Sequence, residues 1–265
     1  MRVYILFFCV LLLFVAYTRG GQAEGFQDVR PFALLLRGEA FRKGGQGTRA
    51  IGAEDAYDEQ IAACKTHMDL VRAIEARGYN VEVFIDTYST QYDNQLKAVY
   101  GPHLKDARFH KTRLGTQTML LKDGVEMIGG DARSPTLLIL RLDMFLKPEF
   151  MELYDPSAPL IQFFSICAHG WHKTPKGNPR INDTVFHFPS TDVARAAMLY
   201  SDLNLIGWHD LLDNEPLKYG TDYSLMTTRY YDSDSGKDWN PYYRIVGRQE
   251  SPEWRSEGKE FPGDG

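Results

Sequence analysis

Short apolar runs alternating with amphipathic helical stretches predict an α/β fold, in which a mainly parallel sheet is covered by helices on both faces. Three observations carry this expectation. Between Pro31 and Asp143, the strand-type runs PFALLL, YNVEVFID, ARFHKTR and PTLLILRLD are separated by stretches of helical type. The first helical stretch repeats its apolar residues every three or four positions, and the last strand run is the most apolar of the set, as a strand buried on both faces requires. With 265 residues, 43% of them hydrophobic, the chain can bury a sizeable core as one domain, with or without a small lobe. Its formal charge of −5 provides no general basic field, so nucleic acid is excluded as a partner and any phosphate binding must be local.

The amino terminus reads as a targeting segment. Arg2 precedes an apolar run from Val3 to Tyr17, and Arg19 follows it. Those 15 apolar residues fall between a signal-peptide core and a membrane span, which takes roughly 20. Residues 1–24 are therefore expected to be a signal peptide or an uncleaved signal anchor. Either one delivers the rest to the secretory pathway, as a type II membrane protein of the Golgi or ER lumen or as a secreted protein. A single α/β domain is expected over 25–250. The polar, Gly- and Pro-containing tail 251–265 cannot bury enough apolar surface to order itself.

Within the domain, PFALLL is the first strand and the glycine-rich RGEAFRKGGQGTR its following loop. Tyr57, Ile61, Cys64, Met68, Val71 and Ile74 mark one buried helix face, which Gly78 terminates. YNVEVFID alternates as a strand, YDNQLKAVYG is a short helix, ARFHKTR a weak strand, and TQTMLLKDGVEMI a helix that leads into PTLLILRLD. In the second half LIQFFSI and NDTVFHFPS read as strands, and STDVARAAMLYSDL as a helix capped by Ser190 or Thr191. Of the three cysteines, Cys9 lies in the apolar run; Cys64 and Cys167 are either disulfide-bonded or simply two small buried residues. The sequon Asn182-Asp183-Thr184 is an acceptor for glycans only if it is exposed.

Ligands of parallel sheets sit beyond the carboxyl ends of the strands, and this chain places charge there. Arg37 ends the first strand, Asp86 the second, and Arg141 with Asp143 the fourth. Arg37, Arg42, Lys43 and Arg49 surround Gly44, Gly45 and Gly47, a combination that can hold a diphosphate through guanidinium forks and backbone N–H groups. The alternative is a solvated loop. Neither a G-x-G-x-x-G nor a G-K-S/T pattern is present, which removes support for hydride chemistry and P-loop ATP hydrolysis. Asp86 can accept hydrogen bonds from a ribose or base, or cap the next turn. Arg141 and Asp143, alternate residues on one strand face, can hold a nucleotide diphosphate and its divalent metal, or form an ion pair closing the strand.

Asp183 and His187 are the candidate general bases for an acceptor hydroxyl, with Asp183 preferred; a turn residue and a structural histidine are the alternatives. Cys167, His169 and His172 in CAHGWH lack the second ligand pair that zinc needs, so this stretch reads as an acceptor-binding loop with Trp171 to stack on a sugar. His209 can contact a diphosphate or bond at a helix end.

An R-x-D stretch closing the fourth strand, then NDTVFHFP and an aromatic-rich tail, resembles nucleotide-sugar glycosyltransferases over roughly Phe32 to His209. The resemblance implies a Rossmann-like GT-A fold in which a D-x-D motif binds metal and sugar nucleotide. Asp143 matches the second acid of that motif, and Mn²⁺ or Mg²⁺ is the implied cofactor. Arg141 stands where the first acid would be, so a metal-free mechanism with cationic side chains is the alternative. A luminal glycosyltransferase acting on a nucleotide-sugar donor and a glycan acceptor is the function implied. The competing readings are a secreted, non-catalytic carbohydrate-binding or interaction protein and a hydrolase using Asp143 with Asp183.

Overall fold

The computed structural model describes residues 29–44, 51–111, 117–128, 135–166, 177–190, 208–213, 217–228 and 240–247. Among the described residues nine strands form two sheets. The larger one contains β1 (Arg30–Gly38), β2 (Tyr79–Tyr88), β3 (Leu104–His110), β4 (Thr136–Arg141), β6 (Ile161–Phe163), β7 (Val185–Phe188) and β8 (Tyr223–Leu225) in the order β3-β2-β1-β4-β7-β6-β8. The first four neighbours are parallel. β7 is antiparallel to β4 and to β6, and β8 is parallel to β6. The expected mainly parallel sheet is present, with an antiparallel insertion at β7.

Apolar alternation along β1 shows why the sheet is covered twice. Phe32, Leu34 and Leu36 enter one core, while Ala33 and Leu35 enter the other. On the first face α1 (Tyr57–Glu75) packs Cys64, Met68, Val71 and Ile74, and α2 (Asp93–Tyr100) adds Leu96 and Tyr100. After α1, Gly78 adopts φ +83°, a conformation in which a Cβ is disfavoured, and the chain turns into β2. On the opposite face lie α3 (Gln117–Ile128), through Leu121 and Val125, and the 3₁₀ turn Trp208–Asp213, through Leu211 and Leu212. α3 rides very close to the sheet. A Cβ at Gly124 would stand 2.9 Å from both terminal carbons of Leu35 and 3.4 Å from the Asp86 Cβ.

The fourth strand ends earlier than its apolar run predicts. β4 stops at Arg141, the chain turns through Leu142 and Asp143, and β5 (Met144–Leu146) pairs antiparallel with β9 (Tyr243–Ile245) before the short helix α4 (Pro148–Leu153). Arg141 and Asp143 are thus brought together by a turn rather than by alternation along one strand. The reason lies in backbone pairing. Leu142 N–H donates to the Arg37 carbonyl at 2.8 Å, and Val246 N–H donates to the Asp143 carbonyl at 2.8 Å, so the two ends of this turn follow two different sheets.

Cys64 is a free, fully buried thiol, matching the small-buried-residue alternative. Its apolar surroundings raise the thiol pKa. Asn182 is also fully buried, its Oδ1 accepting from Thr184 N–H at 3.1 Å and Thr184 Oγ1–H at 2.5 Å, so this sequon is folded into the core edge. Among the described residues no helix is long and apolar enough to cross a membrane. The targeting segment 1–24, Cys9, Cys167, the helix expected from Ser190, the CAHGWH loop and the tail 251–265 lie outside the described residues, apart from Ser190 itself.

Candidate functional site

Register places four charged residues in one row across the sheet. Arg108 on β3 pairs with Asp86 on β2, Asp86 with Arg37 on β1, and Arg37 with Arg141 on β4. Arg37, Asp86 and Arg141 each stand two positions after a residue of the α3-side core, namely Leu35, Phe84 and Ile139, so they share that face. At about 4.8 Å between strands the row is roughly 14 Å long. It lies at the carboxyl edge of all four parallel strands.

The tightest part of the site surrounds Asp143. Arg141 Nε–H donates to Asp143 Oδ1 at 2.9 Å and Nη2–H to Oδ2 at 2.7 Å, a two-pronged, fully buried ion pair. The Arg42 guanidinium stands 3.8 Å from the same Oδ2 and 3.5 Å from Glu39. Arg141 also reaches the Asp183 carboxylate at 3.6 Å, and Arg37 Nη2–H donates to the Asp183 backbone carbonyl. Burial opposes the charge on Arg141, but Asp143, Asp183 and Glu39 outweigh it and raise the guanidinium pKa, so this arginine stays charged. Three guanidinium groups and three carboxylates are thereby gathered at the ends of β1 and β4.

Local structure explains how Arg42, a loop residue by sequence, becomes 1% exposed. Phe41 takes a left-handed conformation, φ +51°, at a cost of about 1–2 kcal/mol. The buried Gln60 side chain on α1 fixes it there: its Oε1 accepts from Phe41 N–H at 3.1 Å and its Nε2–H donates to the Leu142 carbonyl at 2.7 Å. Phe41 also packs against Tyr57 and Tyr92, with ring centroids 5.7 and 4.7 Å away. Gly247 closes the loop from the other side. Gly44 N–H donates to the Gly247 carbonyl at 3.0 Å, and a Cβ at Gly247 would fall 1.6 Å from the Arg42 carbonyl oxygen. The solvated-loop alternative therefore does not describe Ala40, Phe41 and Arg42, whereas Lys43 is exposed. Arg49, Gly45 and Gly47 lie outside the described residues.

The remaining candidates separate. Asp183 is buried at the edge where β7 begins, beside Arg141. His187 lies two residues inside β7, opposite Leu138, with Tyr154 O–H donating to its Nδ1 at 2.9 Å and its Nε2–H donating to the Ala158 carbonyl at 3.2 Å. Burial lowers its pKa to about 4, which keeps the imidazole neutral, and its partner Leu138 lies three residues before the charged end of β4. His209 belongs to the 3₁₀ turn Trp208–Asp213, and its side chain lies outside the described residues, as do His169, Trp171 and His172.

Asp86 is engaged elsewhere. Its Oδ1 is 2.6 Å from His110 Nε2, and Asp123 Oδ2 on α3 is 3.9 Å from that nitrogen. Burial pushes the Asp86 carboxyl up to about 6 even though His110 pulls it down. Sequence reasoning missed His110 although a usable signal existed, because the rule that examines strand ends applies to the third strand as well as the first, second and fourth. Gln60 was also visible as a polar residue inside an apolar helical stripe. No sequence signal pointed to Gly247 or Asp123.

The Asp143 position does not suit a divalent cation. Both carboxylate oxygens are held by Arg141, which stands where a second acid would be needed, and Arg42 places a second positive charge beside them.

No family model matches the chain, and no curated protein matches it in sequence. Solved structures with a similar course of the backbone include a glycosyltransferase involved in the glycosylation of the major capsid of PBCV-1, at 14% identity. The match covers 77% of this chain and 83% of that one, with a TM-score of 0.40. A galactosyltransferase, LgtC, in complex with donor and acceptor sugar analogs is similar at 11% identity over 69% of this chain and 70% of its own, TM-score 0.37. A 4-diphosphocytidyl-2C-methyl-D-erythritol synthase is similar at 13% identity over 77% and 90%, TM-score 0.40. At this distance the functional reading rests on the site itself.

Proposed function

We propose that the protein is a glycosyltransferase that moves a sugar from a nucleotide diphosphate donor to a glycan or glycoconjugate acceptor. One observation carries the reading: Arg37, Arg42 and Arg141 converge at the carboxyl edge of the parallel strands, where a glycine-rich loop leaves β1. Ligands of such sheets occupy that crevice, and guanidinium forks match diphosphate oxygens two at a time. In this reading the framework is GT-A-like, and the three arginines, joined by Arg49 and His209, hold the diphosphate. The carboxylate partners of Arg42 and Arg141 and the carbonyl partner of Arg37 exchange for phosphate oxygens when the donor enters. Positive charge from these side chains, rather than a cation on Asp143, stabilises the leaving diphosphate as the sugar bond breaks. Asp183, next to Arg141, takes the proton of the acceptor hydroxyl. The amino-terminal apolar run would deliver this domain to the secretory lumen, anchored or secreted.

A second reading is favoured by the closed Arg141–Asp143 pair, whose two hydrogen bonds satisfy both partners without any ligand. In that case the cluster is structural, and the protein binds carbohydrate without reaction. Thermal-shift measurements of the purified chain against UDP-, GDP- and CMP-sugars decide between them. A donor at 100 times its Kd stabilises the native state by about 2.7 kcal/mol. The glycosyltransferase reading requires a shift with one nucleotide class and slow release of the free nucleotide from the matching sugar donor. No shift and no release with any donor, with or without manganese, leaves the binding-protein reading standing.

A further inference from the structure

A second group of ligand atoms stands at the other end of the charged row. Asp86 at the end of β2, His110 at the end of β3 and Asp123 on α3 each offer one atom, all within 4.8 Å of one another. We propose that Asp86 Oδ1, His110 Nε2 and Asp123 Oδ2 form a binding site for a first-row divalent cation of the Mn²⁺ or Zn²⁺ type. The proposal stands on this geometry and does not depend on the sugar-transfer reading.

The donor set argues for that class of ion. One imidazole and two carboxylates suit Mn²⁺ and Zn²⁺, whereas Ca²⁺ and Mg²⁺ take oxygen donors. Metal–ligand bonds of about 2.1 Å at tetrahedral angles place neighbouring donor atoms about 3.4 Å apart. The observed separations, 2.6 Å from Asp86 to His110 and 3.9 Å from His110 to Asp123, lie on either side of that value, so modest side-chain rotation creates the site. An entering cation takes the place of the hydrogen shared by Asp86 and His110, and the proton leaves to water.

An independent observation also points to a ligand. The second oxygen of Asp86, Oδ2, is completely buried and receives no hydrogen bond, on a residue with no solvent exposure. A carboxylate oxygen left in that state costs about 1–3 kcal/mol, a penalty that is removed when the cation is chelated by both Asp86 oxygens, Oδ2 together with Oδ1. His110 and Asp123 have side chains 17% and 35% exposed, which provides an entry path and room for water ligands. Two arginines flank the group: Arg108 Nη1–H donates to the Asp123 backbone carbonyl at 3.1 Å and its charge also acts on Asp86, while Arg37 Nη2–H donates to the Asp183 carbonyl. Two carboxylates neutralise one divalent ion. Asp86 and Arg141 are two strands apart, roughly 10 Å, with Arg37 of the Asp143 cluster on the strand between them, so the two groups share no carboxylate.

Electron paramagnetic resonance of the purified full chain titrated with Mn²⁺ alone tests the assignment. One bound Mn²⁺ per chain is expected, with nitrogen coupling from an imidazole in pulsed spectra and displacement by Zn²⁺ but not by an equal concentration of Ca²⁺. His110→Gln should abolish the nitrogen coupling and weaken binding at least tenfold. Asp123→Asn, at a partly exposed helix position where folding is not at stake, should weaken binding at least tenfold while the coupling of any residual bound ion persists. The proposal is overturned if no Mn²⁺ binds, if the bound ion shows no nitrogen coupling, or if both variants bind as the unaltered chain does.

Discussion

Asp143→Asn tests whether the Asp143 carboxylate holds the buried charge cluster together. The Asp143 side chain is buried, receives two hydrogen bonds from Arg141 and lies 3.8 Å from Arg42. Asp143→Asn keeps the shape but removes the charge and turns one acceptor oxygen into an N–H donor facing a guanidinium. A hydrogen bond to a charged group is worth about 1.5–3 kcal/mol, and breaking a buried ion pair by removing one partner costs about 3–5 kcal/mol. Asp183 and Glu39 still face the cluster, so a loss near 3 kcal/mol is expected. With an m-value of about 2–3 kcal/mol/M in urea, the midpoint should fall by about 1–1.5 M, measured by circular dichroism. The charge-free pair Asp143→Leu with Arg141→Met should recover much of that loss, since apolar replacement of a whole buried pair is often neutral. A midpoint within 0.2 M of wild type for Asp143→Asn, about 0.5 kcal/mol, would refute the argument that this carboxylate holds the cluster together.

Two further outcomes follow from the same geometry. Gly247→Ala should destabilise the chain by at least about 2 kcal/mol and weaken nucleotide-sugar binding, because its Cβ would overlap the Arg42 carbonyl and the position has φ +69°; unchanged donor affinity and unfolding midpoint would show that the loop does not need this contact. His67 and His187 both have pKa values lowered to about 4 by burial, against an ordinary value of 6.5. The unfolded chain therefore binds these protons first, and stability is full above pH 6.5 and falls as pH drops towards 4, by up to about 3 kcal/mol for each histidine. His187→Gln, able to serve Tyr154 and Ala158 in the same way, should remove its share of that slope in urea titrations at several pH values; an unaltered slope argues against a neutral buried His187.

Periodicity made most of the first half legible. The stripe from Tyr57 to Ile74 became α1, and the four apolar runs became β1 to β4 within a few residues. These patterns are local, since burial of one helix face or of both strand faces imprints itself on consecutive residues. The rule of strand ends likewise placed Arg37, Asp86 and Arg141 at one edge before any register was known. What that edge does with its charges depended on contacts far apart in sequence. Arg42 is buried because Gln60 on a helix and Gly247 near the end of the described chain close on its loop. Asp143 meets Arg141 through a turn created by pairing with Arg37 and Val246. Asp86 faces His110 and Asp123 because β3 lies beside β2 and a glycine lets α3 approach. Sequence by itself determined which residues would be inside and which strand ends would carry charge, because hydrophobic burial and strand polarity are written along the chain. Only the tertiary structure decided the partner of each charge, because Coulomb and hydrogen-bond energies depend on distances that chain order does not encode.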